Sequence, residues 1–207
     1  ALSLKSVDYG APAKVKSSAR EATKLVEDIR QRMKVYEQGN DKAAELFRAM
    51  HYPLFEYVSN RVPEITDDFF RIDDAMRAGF GWEIGPFEVW DALGVRDTLT
   101  KIKAEPKRLP GQTGEVAQWV HDMLASGAES FYKVENGVRH YYDISSKSYQ
   151  VIPGAEDLIV LDHIRESNTI WKNSGVSIID LGDGIINCEF HTKMNTIGAD
   201  VIQGINK

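Results

Sequence analysis

The sequence predicts an α+β chain, helical first and β-rich afterwards. Three observations carry that prediction. Apolar residues recur at helical spacing from about Ala19 to Arg77, and again through Val89, Leu99 and Val120. Past Gly127 the period shortens towards two. Two turn signals, Asn136-Gly137 and Gly182-Asp183-Gly184, then separate short β-prone runs. The 207 residues suit one large domain or two small ones.

Residues 1–18 read as a lead-in, because Gly10, Pro12 and several small residues break any period. From Ala19 the spacing predicts one helix with Leu25, Ile29, Met33 and Tyr36 on its inner face, and Asp28 and Arg32 paired at i, i+4. Gly39-Asn40 stops it, and Asp41 caps the next helix. That second helix places Leu46, Phe47, Met50, Leu54, Tyr57 and Val58 on one stripe. Pro53 inside it predicts a kink, because proline lacks a backbone donor. Pro63 marks either another bend or the first turn of a helix through Ile65, Phe69 and Ile72.

Residues 79–87 hold three glycines, one proline and three aromatics, which predicts a structured loop rather than a linker. Pro86 opens a short helix through Val89, Trp90 and Leu93, and Gly94 closes it. A further helix turns Leu99 and Ile102 inward. Residues 105–111, with two prolines and a glycine, are the best linker candidate. A short amphipathic helix then carries Trp119, Val120, Met123 and Leu124. Residues 131–143 read as a hairpin turning at Asn136-Gly137, with 149–152 as a third strand. Residues 158–172 contain a short helix or a strand. A second hairpin, 176–190, follows, and a last helix carries Ile197, Val201, Ile202 and Ile205. No glycine or proline stop ends that helix, so it reads as cut. The domain boundaries expected are 1–18 lead-in, 19–105 helical domain, 106–165 connector and 166–207 final hairpin and helix.

Composition narrows the function classes. Hydrophobic residues make up 43% and charged residues 27%, which excludes a disordered or collagen-like chain. A net charge of −6 gives no support to nucleic-acid binding. No apolar run approaches the roughly 18 residues of a membrane span. One cysteine, Cys188, forms neither an internal disulfide nor a cysteine-based zinc site, which fits a reducing compartment, although a secreted chain can also lack disulfides; the expected location is cytoplasmic.

Candidate chemistry is sparse. The five histidines are scattered, without metal-ligand spacing, so no metal site is expected, and His140 reads as a surface residue. Asp67-Asp68 and Asp73-Asp74 are adjacent pairs that point apart on a helix, so Asp73 or Asp74 is expected to cap or brace a neighbouring helix. Cys188, among apolar residues of a strand, reads as a buried inert thiol. No GxGxxG follows a strand, and P-loop and GxSxG patterns are missing.

Three segments nevertheless resemble known families. Ser59-Asn60-Arg61 is followed twelve residues on by Ile72-Asp73-Asp74-Ala75-Met76-Arg77, then Gly79-Phe80-Gly81-Trp82, Gly85-Pro86-Phe87-Glu88, Asp91 and Gly94. In order and spacing this resembles the C-terminal helical domain of the 3-hydroxyacyl-CoA dehydrogenases of fatty-acid β-oxidation. The structural motif it implies comprises Arg61, Asp73, Gly79, Gly81, Gly85, Pro86, Phe87, Asp91 and Gly94. The glycines permit a tight turn, the aromatics anchor it, and Asp91 accepts hydrogen bonds that hold the loop. Residues 174–195, with the loop His191-Thr192-Lys193-Met194 and Asn195 at a helix start, look like the opening of an enoyl-CoA hydratase (crotonase) module. Residues 119–142 resemble the connector between those modules in long bacterial β-oxidation proteins.

The resemblance implies an internal piece of an NAD-dependent dehydrogenase, in which a histidine removes the hydroxyl proton as hydride passes to the nicotinamide. NAD and the catalytic histidine and glutamate belong to a Rossmann domain expected before Ala1, and the crotonase catalytic groups to a region after Lys207. No complete catalytic set is expected in this chain. Asn60 is a weak catalytic candidate and otherwise a helix-packing residue, since the domain looks like the second copy. Lys193 is a weak CoA-phosphate contact and otherwise a solvated lysine. The expected partners are the missing Rossmann and crotonase domains, the acyl-CoA substrate, and a second copy through exposed apolar surface. A non-enzymatic acyl-CoA-binding or domain-interaction module stays open as the alternative, as does an unrelated scaffold.

Overall fold

The computed structural model describes residues 7–10, 16–104 and 113–207. The expected linker at 105–111 and most of the lead-in lie outside the described residues. The chain forms two compact units, Ala1–Phe131 and Tyr132–Lys207.

The first unit is helical. The single helix expected from Ala19 is two helices, α1 (Ser18–Thr23) and α2 (Ile29–Gln38). Asp28 explains the break: its carboxylate accepts from the Arg30 N–H at 2.9 Å and starts α2 afresh. Arg32 donates to the Glu27 carbonyl at 2.7 Å rather than pairing with Asp28. Leu25 lies between the helices and is 96% exposed, not inward. Asp41 caps α3 (Lys42–Asn60) as expected, accepting from Ala43 and Ala44 N–H at 3.1 and 3.0 Å.

α3 runs through Pro53 as one continuous helix. Its inner face differs from the stripe expected. Ala44, Phe47, Tyr52, Phe55 and Val58 are buried, whereas Leu46, Met50 and Tyr57 are 60–61% exposed. The helix is apolar on two sides, so periodicity alone mixes the faces.

Pro63 lies in a turn, and the next helix, α4 (Phe70–Phe80), ends at Gly81 in the left-handed region, φ 67°. α5 (Pro86–Leu93), α6 (Val95–Ala104) and α7 (Gln118–Ala125) follow. α2 packs on α5 and α3, and α5 on α4 and α6. Phe55, Phe69, Phe87, Trp90 and Phe131 fill the centre, with neighbouring ring centroids 4.9–5.4 Å apart. Each such pair adds about 0.5–1.5 kcal/mol beyond area burial.

The second unit holds two antiparallel sheets, β1-β2-β3 and β4-β5-β6. β1 (Tyr132–Glu135) and β2 (Val138–Asp143) meet at Asn136 and Gly137, both with positive φ as a type I′ turn requires. β3 (Ser148–Val151) pairs with β2. The undecided stretch 158–172 contains both elements, α8 (Leu161–Asn168) and β4 (Thr169–Lys172). β5 (Val176–Gly182) and β6 (Ile185–Phe190) form the second hairpin. α9 (Ala199–Ile205) packs on β5 through Gly204, where a Cβ would collide with Val176.

Three expectations fail in this unit. Asn195 sits in a 3-10 turn (Lys193–Asn195), and α9 starts only at Ala199. Cys188 is exposed on β6, an edge strand, rather than buried. His140, expected at the surface, is half-buried, with Nδ1 3.0 Å from the Val138 carbonyl.

Candidate functional site

The resemblance motif folds into one hydrogen-bonded joint between α4 and α5. A helix starts with N–H groups that have no partner within the helix. Pro86, at the first position of α5, has none to offer. The next two, Phe87 and Glu88, donate to the two oxygens of Asp73 at 2.9 and 3.1 Å. Asp73 stands on α4 and is fully buried. The Gly85 N–H donates to Glu88 Oε2 at 2.6 Å, closing the last gap. Arg77 donates to the same Glu88 oxygen at 2.6 Å and also bonds Asp74. Burial works against the charge of Arg77, but Glu88 and Asp74 outweigh it, so its pKa lies above the ordinary value.

Each motif residue has a place. A Cβ on Gly85 would overlap the Asp73 carboxyl group, so only glycine lets the two segments meet. Gly81 and Gly94 close α4 and α5 at positive φ. Gly79 lies exposed on α4 with open space around it. Phe87 is buried in the aromatic centre, but Phe80 and Trp82 are exposed and do not anchor the turn. Asp91 Oδ1 accepts from the Phe131 N–H at 2.7 Å.

Asn60 and Arg61 lie at the end of α3, beside an open groove of about 830 Å³. Pro53, Leu54 and Tyr57 form its apolar wall, and residues 113–118 its opposite side. Asn60 Nδ2 donates to the carbonyls of Glu56 and Glu115, at 2.8 and 3.0 Å. The first bond stays within α3, and the second ties the helix to the segment beyond it. Glu56 accepts from the Thr113 and Gly114 N–H groups at 2.8 and 3.0 Å, and Ser59 accepts from Ala117 at 3.2 Å. Arg61 pairs with Glu64 and lies over the Tyr57 ring at 5.4 Å. The hydrogen bonds here clamp the end of α3 to residues 113–117.

Lys193 is exposed on its 3-10 turn in the second unit. Among the described residues no group of three or more His, Cys, Asp or Glu is placed to hold a metal. Both sheets are antiparallel, and no glycine-rich turn joins a parallel strand to a helix, so the described residues do not fit a dinucleotide cofactor. None of the described helices is long and apolar enough to cross a membrane. Sequence reasoning missed Glu88 and Arg77 as partners, although Glu88 three residues after Gly85 is the spacing of a capping box.

Residues 46–141 match the family described as 3-hydroxyacyl-CoA dehydrogenase, C-terminal domain. A protein of Bacillus subtilis (strain 168), provisionally named a 3-hydroxyacyl-CoA dehydrogenase, is 40% identical over 200 residues, 96% of this chain. The chain spans 24% of that relative's length. A protein of Rickettsia felis, provisionally named a fatty acid oxidation complex trifunctional enzyme, is 36% identical over 45 residues, 22% of this chain and 6% of its own length. No solved structure gives a significant match. The helical segment built around Asp73, Gly85 and Glu88 thus lies within the stretch that is similar to the 3-hydroxyacyl-CoA dehydrogenase C-terminal domain.

Proposed function

We propose that this chain works within an NAD-dependent 3-hydroxyacyl-CoA dehydrogenase of cytoplasmic fatty-acid β-oxidation. Its part is to supply packing surface and a wall of the acyl-CoA site. A Rossmann-type domain elsewhere in the protein binds NAD and carries the catalytic histidine. The observation that carries this reading is the family match over 46–141, on residues whose hydrogen bonds build the α4–α5 joint. The exposed row Leu46, Met50 and Tyr57 supports it, because a helix apolar on two faces is suited to being covered on both. The same row offers surface to a second copy.

Asn60 acts here as a helix clamp rather than a catalytic group, since both its amide hydrogens bond backbone carbonyls. Residues 166–207 are read as the opening of a crotonase-like module. The β5–β6 hairpin followed by α9 supports that, and exposed Lys193 is available to a CoA phosphate.

The test is NAD⁺ reduction with 3-hydroxybutyryl-CoA, by this chain alone and by the longer gene product that contains it. Turnover in the longer protein and none in the isolated chain is expected. Turnover by the isolated chain would overturn the assignment of catalysis to another domain. Acyl-CoA binding by the isolated chain, with no turnover in the longer protein, would favour the binding-module alternative.

A further inference from the structure

A second cleft, of about 310 Å³, opens in the first unit away from the Asn60 groove. Met33 of α2, His51 of α3, Val89 of α5 and the turn residues Trp82, Glu83 and Ile84 line it. Its size is at the lower end for small-molecule sites, which are mostly apolar with a few placed polar groups. His51 is such a group. Its Nδ1 lies 2.8 Å from the Phe47 carbonyl, which can only accept, so Nδ1 carries the hydrogen. In the neutral ring Nε2 is then an acceptor. Nε2 has no hydrogen-bond partner among the described residues, and it is not sealed from solvent. The ring is fixed as well, stacked on Phe47 at a centroid distance of 4.0 Å. Burial lowers the pKa of His51 and favours the neutral form.

We propose that this cleft binds a small neutral aromatic molecule that donates one hydroxyl hydrogen to His51 Nε2, a phenol in chemical class. The walls decide the class. Met33, Ile84 and Val89 accept an apolar body, and the thioether and the Trp82 indole favour an aromatic ring. The polar side chains among the lining residues are those of His51, Trp82 and Glu83, with no cation among them. Carboxylates and phosphates are therefore disfavoured, which separates this ligand from the acyl-CoA of the proposed function.

Calorimetric titration of the chain with 4-ethylphenol, ethylbenzene and 4-ethylbenzoate tests this. The phenol should bind roughly threefold to tenfold more tightly than ethylbenzene, the worth of one hydrogen bond, and the benzoate should be weakest. His51→Phe keeps a ring but removes the acceptor, so it should erase the preference for phenol. Met33→Trp should fill the cleft and abolish binding of both neutral probes, with an unchanged helical circular dichroism spectrum showing that the fold persists. No phenol binding up to its solubility limit would overturn the proposal. So would equal binding of phenol and ethylbenzene, or phenol binding that survives Met33→Trp in the folded protein.

Discussion

Asp73 shows how one buried carboxylate can determine a local fold. It accepts the first two available N–H groups of a helix that begins 13 residues later in the chain, and it does so fully buried. Removing it leaves two buried donors without this acceptor, and an unsatisfied buried donor costs more than the hydrogen bond gained. Asp73→Ala should therefore destabilise the first unit by about 2–4 kcal/mol, read from the midpoint of urea unfolding. Asp74→Ala is the control. Its carboxylate faces solvent and pairs with Arg77, and exposed pairs are worth at most about 1 kcal/mol. Equal losses in the two variants would show that Asp73 acts only as surface charge. The adjacent-acid pattern was legible in the sequence as a brace for a neighbouring helix. Its target was not, because nothing local says which later N–H groups a side chain will reach.

At the scale of elements, the joint between α1 and α3 rests on Asp41. Its carboxylate accepts from the N–H groups of Ala44 and Ala43, from the Ala19 N–H and from the Ser17 and Ser18 hydroxyls. Those bonds, the backbone ones first, hold its pKa well below the ordinary 3.8. A carboxyl group depressed in the folded state stabilises that state above its ordinary pKa. The contribution falls away as pH drops, because the unfolded chain takes up the proton first. The gap in melting temperature between the native chain and Asp41→Ala should thus be constant from neutral pH down to about pH 4 and narrow below it. Thermal melts across a pH series measure it, and a gap unchanged in acid would break the link. Asp41 as a cap was readable because Gly39-Asn40 stops one helix just before it. The break before α2 was not, because Leu25 and Ile29 keep the helical period across it and Asp28 serves as well for a cap as for an ion pair. The face of α3 was also hidden, since Leu46 and Phe47 are equally apolar and only packing separates them.

For the whole molecule, the distribution of buried bulk predicts how the chain opens. Among the described residues, the large fully buried side chains of the first unit are mostly aromatic: Phe55, Phe69, Phe87, Trp90 and Phe131. Those of the second unit are Val176, Ile179 and Val201. Burying a valine or isoleucine contributes about 1.5–3 kcal/mol, and aromatic side chains bury more surface each. The β4-β5-β6 sheet also has only three strands, near the minimum for independent stability. Hairpin turns such as Asn136-Gly137 made this unit's strands easy to read, because turn chemistry is local. The weakness of its core was not readable, because the outer residues Ile185, Ile186 and Cys188 look as apolar in sequence as the inner ones. Unequal cores should make unfolding depart from two-state behaviour. Native-state hydrogen exchange in rising urea is the measurement. Amides of β5 and β6 should open sub-globally at lower urea than those of α3 and α5, which should exchange only through global unfolding. One shared opening free energy for all four elements would instead mean that the two units fold as a single cooperative body.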